Sequence, residues 1–207
     1  MSILRAMKAE TIRIGQNKMD AILPITLTHL WGEWEGVEAS VRLRWEEGKL
    51  FIRFMVKETQ LRRMTQQHNE AVWEDSCVEA FLMREGEKEY VNVECSASTR
   101  MLVARGESRH GRQYYPVEFI DTIPLTITVM EHTNAGSRWR ADLELDLVAL
   151  GLMESGERME DVKLLGNFYK CGDKLDEPHF LAAGEIMTAA PDFHRSEYFI
   201  PLTFTRP

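Results

Sequence analysis

Residues 72–82, VWEDSCVEAFL, place a tryptophan, three carboxylates and a cysteine beside an apolar run. Three chemistries use such residues. Two carboxyls about 5 to 9 Å apart could flank and hydrolyse a glycosidic bond. Acids with a thiol could ligate a metal. An aromatic ring beside carboxylates could hold a polyhydroxylated ligand, the ring stacking on the apolar sugar face and the acids bonding its hydroxyls.

The choice depends on which side chains share a face. Read as a strand, the segment turns Val78, Ala80 and Leu82 toward a core, with Cys77, Glu79 and Phe81 on the other side. After an EGEK turn, EYVNVEC buries Val91 and Val93 and turns Tyr90, Asn92 and Glu94 outward. In KLLGNFYKC, Leu164 and Phe168 suit the core, while Asn167 and Tyr169 share the opposite face with Cys171. The expectation is one outer sheet surface rich in acids, amides and aromatics, suited to a neutral sugar. Glu79 and Glu94 on neighbouring strands are the pair a glycoside hydrolase would use. In the polar loop of NFYKCGDKLDEPHF, Lys170 and His179 would lie over the pocket as a rim, and its oxygen-rich stretch is compatible with a structural calcium.

These residues need strands to position them, and the dominant period is two. VEASVRLRW and LFIRFMVK alternate around an EEGK turn, which predicts a hairpin. Further strands are expected at residues 77–83, 90–95, 101–104, 125–132, 139–146, 163–170 and 198–204. Helix is limited to a turn or two in NKMDAILP and in LVALGLMESGERMED. The fold class is therefore all-β, an antiparallel β-sandwich of jelly-roll or immunoglobulin-like form with few short helices. No repeat or linker interrupts the chain, so residues 1–207 are expected to form a single domain.

Composition narrows the partners. The 207 residues are 44% hydrophobic and 28% charged, as in a globular protein, with a formal net charge of −8. An acidic surface repels phosphate backbones, so no nucleic-acid partner is expected. No apolar run approaches the roughly 20 residues that span a bilayer. The opening MSILRAMKAETIRIG has no export-signal pattern, so the chain as written reads as cytoplasmic, or as extracellular or periplasmic if a signal once preceded it. The three cysteines, Cys77, Cys95 and Cys171, make an odd and widely spaced set that predicts free thiols. No Cys-x-x-Cys or His-x-x-His spacing marks a structural zinc site.

VWEDSCVEAFL, EYVNVECSAS, NFYKCGDKLDEPHF and PDFHRSEYFIPLTF together resemble carbohydrate-binding module family 9, and within it the stand-alone bacterial family-9-like proteins. The resemblance runs from about residue 28 to residue 204. It implies a β-sandwich that binds a glycan or oligosaccharide without catalysis, on a sheet-face groove, in the service of polysaccharide catabolism. It matches Trp73 to an aromatic platform, Glu79 to a carboxylate on sugar hydroxyls, and Asn92, Glu94 and Asn167 to further polar contacts. The family's second, sugar-sandwiching tryptophan has no plain counterpart; Tyr169, Phe180 or Phe193 would replace it. Family members can carry structural calcium, and no other cofactor is implied. Two alternatives stand beside binding: hydrolysis through Glu79 and Glu94, and an interaction module whose sugar site has decayed.

Overall fold

The computed structural model describes residues 11–206. Most of the segment read for an export signal lies outside them. The strands are β1 Ile12–Ile14, β2 Ile25–His29, β3 Glu38–Glu46, β4 Lys49–Glu58, β5 Cys77–Arg84, β6 Tyr90–Ser96 and β7 Met101–Gly106. They continue with β8 Gln113–Tyr114, β9 Leu125–Thr133, β10 Gly136–Asp146, β11 Lys163–Cys171, β12 Phe180–Ala182 and β13 Ile200–Phe204. One helical turn, α1, spans Val117–Ile120. The expected turn near Met19 is a three-residue 3-10 helix, as is the one at Met159–Asp161.

The strands join in the order β8-β7-β6-β5-β11-β12-β2-β3-β4-β10-β9, with β13 on the flank of β11 and β1 on β13. Every pairing is antiparallel except β1 with β13. The short β12 couples β11 to β2, and there the sheet folds over on itself. The result is an antiparallel β-sandwich. The four strands β1, β2, β8 and β12 have two to five residues each, too short for alternation to reveal them in the sequence.

The main core fills the space between the two halves. Ala39, Val41, Leu43 and Trp45 of β3 and Leu50, Ile52, Phe54 and Val56 of β4 point into it, as their alternation requires. Val78, Ala80, Leu82, Val91, Val93, Leu164 and Phe168 meet them from the other half. Phe54 and Phe168 touch across the halves with ring centroids 6.4 Å apart. Glu47 and Gly48, with φ of 48° and 77°, form the two-residue turn between β3 and β4. Positive φ at both central positions matches the right-handed twist of the strands that enter and leave the turn.

The other face of β5, β6 and β11 differs from the expected open surface. Phe81, Tyr90, Asn92, Asn167 and Tyr169 are fully buried, and Glu79 and Glu94 are 4% and 2% exposed. Residues 183–199 cross this face and bring Ile186, Phe193 and Phe199 against Phe81, Tyr90 and Tyr169, forming a second apolar core. The physical reason lies in the aromatics. Burying a large apolar side chain gains about 1.5–3 kcal/mol, so three rings on one face favour a cover over open water.

Asn167 fixes that cover. β11 pairs with β13 through Lys163–Gly166 and with β12 through Tyr169–Cys171, leaving a break between the two partners. In the break, Asn167 Oδ1 accepts from the amides of Gly184 and Phe168, both at 2.9 Å, and Nδ2 donates to the Gly184 carbonyl at 3.0 Å. The side chain replaces the missing ladder bonds, so the buried backbone stays paired. At Gly166 a Cβ would lie 2.7 Å from the Phe81 carbonyl oxygen, so only glycine permits this close strand approach.

Candidate functional site: a carboxylate-floored aromatic cavity

The cover leaves a cavity of about 210 Å³. Glu79 of β5, Glu94 of β6 and Cys171 of β11 line its floor. Trp73, Phe180, Phe193 and His194 form its walls, and Arg109, Arg112, Asp173 and Asp192 stand around them. Trp73 sits in a 3-10 turn, Val72–Glu74, immediately before β5 and is half-buried. The turn is tied down by Asp173 N–H, which donates to the Trp73 carbonyl at 3.0 Å.

Glu79 and Glu94 face each other directly across β5 and β6. Burial raises the pKa of Glu79 well above the usual carboxylate range, and the neighbouring Glu94 adds to the effect. Burial likewise pushes Glu94 up to about 7, although Arg112 and the Asn92 amide oppose it. Arg112 Nη1 lies 3.4 Å from Glu94 Oε1, and Asn92 Nδ2 donates to the same oxygen at 2.9 Å. The pair therefore retains a proton near neutral pH. A carboxyl and a carboxylate side by side both donate and accept, which matches the two-way hydrogen bonding of hydroxyl groups.

The walls are set by stacking. Phe193 lies flat on Tyr169, with centroids 4.2 Å apart at 10°. Tyr90 Oη bonds His194 Nδ1 at 2.7 Å. Burial lowers the His194 pKa to about 3, so the ring is neutral. Arg109 Nη2 donates to Asp192 Oδ1 at 3.0 Å, linking the loop between β7 and β8 to the cover.

The family model for carbohydrate-binding family 9 matches residues 26–204. The chain belongs to that family. A solved protein of Bacteroides uniformis, inferred to bind carbohydrate, is 25% identical with a TM-score of 0.79, covering 94% of this chain and 97% of its own. Two structures of a family-9 module from Caldicellulosiruptor kristjanssonii, one with cellotriose and one with glucose, align with TM-scores of 0.59 and 0.60. Both are 10% identical and cover 96% of this chain, with 95% and 97% of their own length covered. At that identity the likeness is one of fold. No curated protein matches the chain.

In this family-9 chain the expected site residues divide into three groups. Trp73, Glu79, Glu94 and Phe180 come together on the cavity lining. Asn92, Asn167 and Tyr169 stand behind it: Asn92 orients Glu94, Asn167 anchors the cover, and Tyr169 backs Phe193. Lys170 and His179, expected over the pocket, are instead fully buried away from it. Lys170 Nζ lies 2.9 Å from both Glu58 Oε2 and His179 Nε2, and Trp139 Nε1 donates to Glu58 Oε1 at 2.6 Å. Strand alternation explains the difference. Tyr169 and Cys171 face the cavity side, so Lys170 between them points to the opposite face.

Of the aromatic alternatives, Phe180 and Phe193 reach the cavity. Arg109 and Arg112 were not anticipated. Their signal was the basic, glycine-containing stretch ARGESRHGRQ, where Arg105, Arg109, His110 and Arg112 cluster in a turn-rich segment. Asp75 is structural: its carboxylate accepts from the Met64 and Thr65 amides and from Ser96 Oγ. Among the described residues the loop acids around Asp173 do not gather as a ligand set, whereas donor atoms of Cys77, Glu79 and Cys171 lie within 4.8 Å of one another. No helix of the described residues is long and apolar enough to cross a membrane.

Proposed function

We infer that this cavity binds the carbohydrate, with one sugar ring held between Trp73 and the Phe180–Phe193 wall. The carrying observation is that half-buried Trp73 lines the same cavity as the opposed Glu79 and Glu94. A cavity of about 210 Å³ is below the roughly 300–1,000 Å³ of pockets for drug-sized ligands, which suits a single ring rather than the middle of a chain. Glu79 and Glu94 bond the hydroxyls, and Arg112 holds Glu94 in place. The protein acts without catalysis, in polysaccharide catabolism.

Hydrolysis by the same two residues fits less well. A glycosidase separates the two pKa values so that one carboxyl is an acid and the other is ionised. Here burial raises both. The decayed-site reading calls for a filled groove, whereas this cavity is open and lined by Trp73 and Glu79.

The test is calorimetric titration with a panel of monosaccharides and short oligosaccharides, repeated on Glu79→Gln, with product analysis on the same oligosaccharides. Saturable binding that Glu79→Gln weakens, with no cleavage, is the expected result. Cleavage lost in Glu79→Gln or Glu94→Gln would replace binding with hydrolysis, and no binding to any sugar would favour the decayed site.

A further inference from the structure

Cys77 and Cys171 are far apart in sequence but directly opposite each other across β5 and β11. Glu79 follows Cys77 by two positions on the same strand and therefore shares its face. One donor atom from each of the three lies within 4.8 Å of the others. All three residues are at most 4% exposed.

We propose that Cys77, Glu79 and Cys171 form a binding site for one thiophilic divalent cation of the zinc class. Two thiols with a carboxyl provide three of the four ligands of a tetrahedral zinc ion, with bonds of about 2.3 Å to sulfur and about 2.0–2.2 Å to oxygen. Two sulfurs on one such ion stand just under about 4 Å apart, so donors already within 4.8 Å need only small side-chain rotations. Hard cations such as calcium and magnesium prefer all-oxygen shells and are excluded.

A second observation separates this cluster from ordinary packing. Glu79 is nearly fully buried, and among the described residues its one side-chain hydrogen bond comes from the Cys171 thiol at 2.9 Å. A thiol is a weak donor, and a buried carboxyl normally has stronger partners. A cation at this point would supply one. The entry path exists, because Glu79 and Cys171 both line the cavity. The fourth coordination position then faces the cavity, where water or a ligand oxygen completes it.

Two thiolates and one carboxylate carry three negative charges against the two of the ion, leaving one net negative charge in the site, and Arg112, whose side chain is 8% exposed, stands beside the adjoining Glu94. Ligating thiols and carboxyl must give up their protons to the ion, so affinity rises with pH. Cys95 serves as the internal control. It lies on the opposite face of the sheet, in the main core.

The test uses fully reduced, metal-free protein titrated with cobalt(II), then zinc, without sugar. The expected result is one cobalt per chain, with sulfur-to-cobalt charge-transfer absorption and tetrahedral visible bands that zinc abolishes. Cys171→Ser and Cys77→Ser should each weaken cobalt binding by at least about 100-fold, the upper end of what outer-shell changes alone produce. Cys171→Ala provides a second variant should serine be poorly tolerated, and Cys95→Ser should bind as wild type. The absence of a thiolate band in the reduced wild-type protein would overturn the proposal. So would wild-type cobalt affinity in the folded Cys77 and Cys171 variants, each of which keeps one thiolate and therefore a weaker band. The titration contains no sugar, so its outcome is independent of whether the cavity binds one.

Discussion

Glu79 and Glu94 sit directly opposite each other on adjacent strands, 4% and 2% exposed. Two like-charged groups in that position destabilise a sheet when both are ionised. The fold tolerates them because burial keeps a proton on the pair. Titratable groups shifted in this way on a cavity wall are common in functional sites, and the proposed sugar site uses this pair.

The pair gives stability a pH dependence of definite sign. Both carboxyls titrate higher in the folded protein than in the unfolded chain. The folded state therefore binds more protons, and stability falls as pH rises from about 4.5, the ordinary glutamate value, through about 7, where Glu94 titrates. With about 1.4 kcal/mol per pKa unit, the loss is on the order of 3 kcal/mol. Between pH 5 and 8.5 the wild-type melting temperature should fall relative to that of Glu94→Gln, a comparison in which the opposite contribution of the depressed His194 cancels. Parallel curves would mean that Glu94 does not titrate in this range.

Trp73→Ala should weaken sugar binding while leaving the fold. Truncating a binding tryptophan commonly costs about 2 kcal/mol or more, roughly 30-fold in affinity. Trp139, fully buried in the main core, provides the contrast: Trp139→Ala should cost about 3–5 kcal/mol of stability. Calorimetry and thermal melts on both variants check this. A large drop in melting temperature for Trp73→Ala would make Trp73 a core residue instead.

Lys170→Met should leave the cavity intact and destabilise the protein. It strands the Glu58 carboxylate, whose pKa is held down to about 2 because the Lys170 ammonium, 2.9 Å from Glu58 Oε2, outweighs burial. Breaking one partner of a buried ion pair costs about 3–5 kcal/mol. The double variant Glu58→Gln, Lys170→Met should recover part of that loss. Denaturant unfolding measures the cost. Sugar affinity of the folded single variant should match wild type, and a large drop in affinity would return Lys170 to the binding site.

Asn167→Ala should loosen the cover. It leaves the amide and carbonyl of Gly184 without partners, at about 1–3 kcal/mol for each unsatisfied buried group. Faster hydrogen exchange at Gly184 and Phe193 is expected, together with weaker sugar binding because Phe193 is held less firmly. Unchanged exchange would show that the stacking of Phe193 on Tyr169 holds the cover alone.

The sequence by itself determined the longer strands and their faces. Alternation in β3, β4, β5, β6 and β11 named the residues of the main core, because a period of two fixes the side of every residue once a strand is recognised. The same alternation put Glu79 with Glu94 and Cys77, and set Trp73 at the edge before β5. It could also have excluded Lys170, which lies between two cavity-facing residues. Only the tertiary structure decided what covers the outer face. Residues 183–199 lack regular structure over most of their length, and no local pattern shows where Phe193 and Phe199 come to rest. It alone brought Arg112 to Glu94 and Cys171 to Cys77. Those contacts join segments distant in the chain, and their geometry follows from strand pairing and from rings gathering out of water, neither of which is encoded in neighbouring residues.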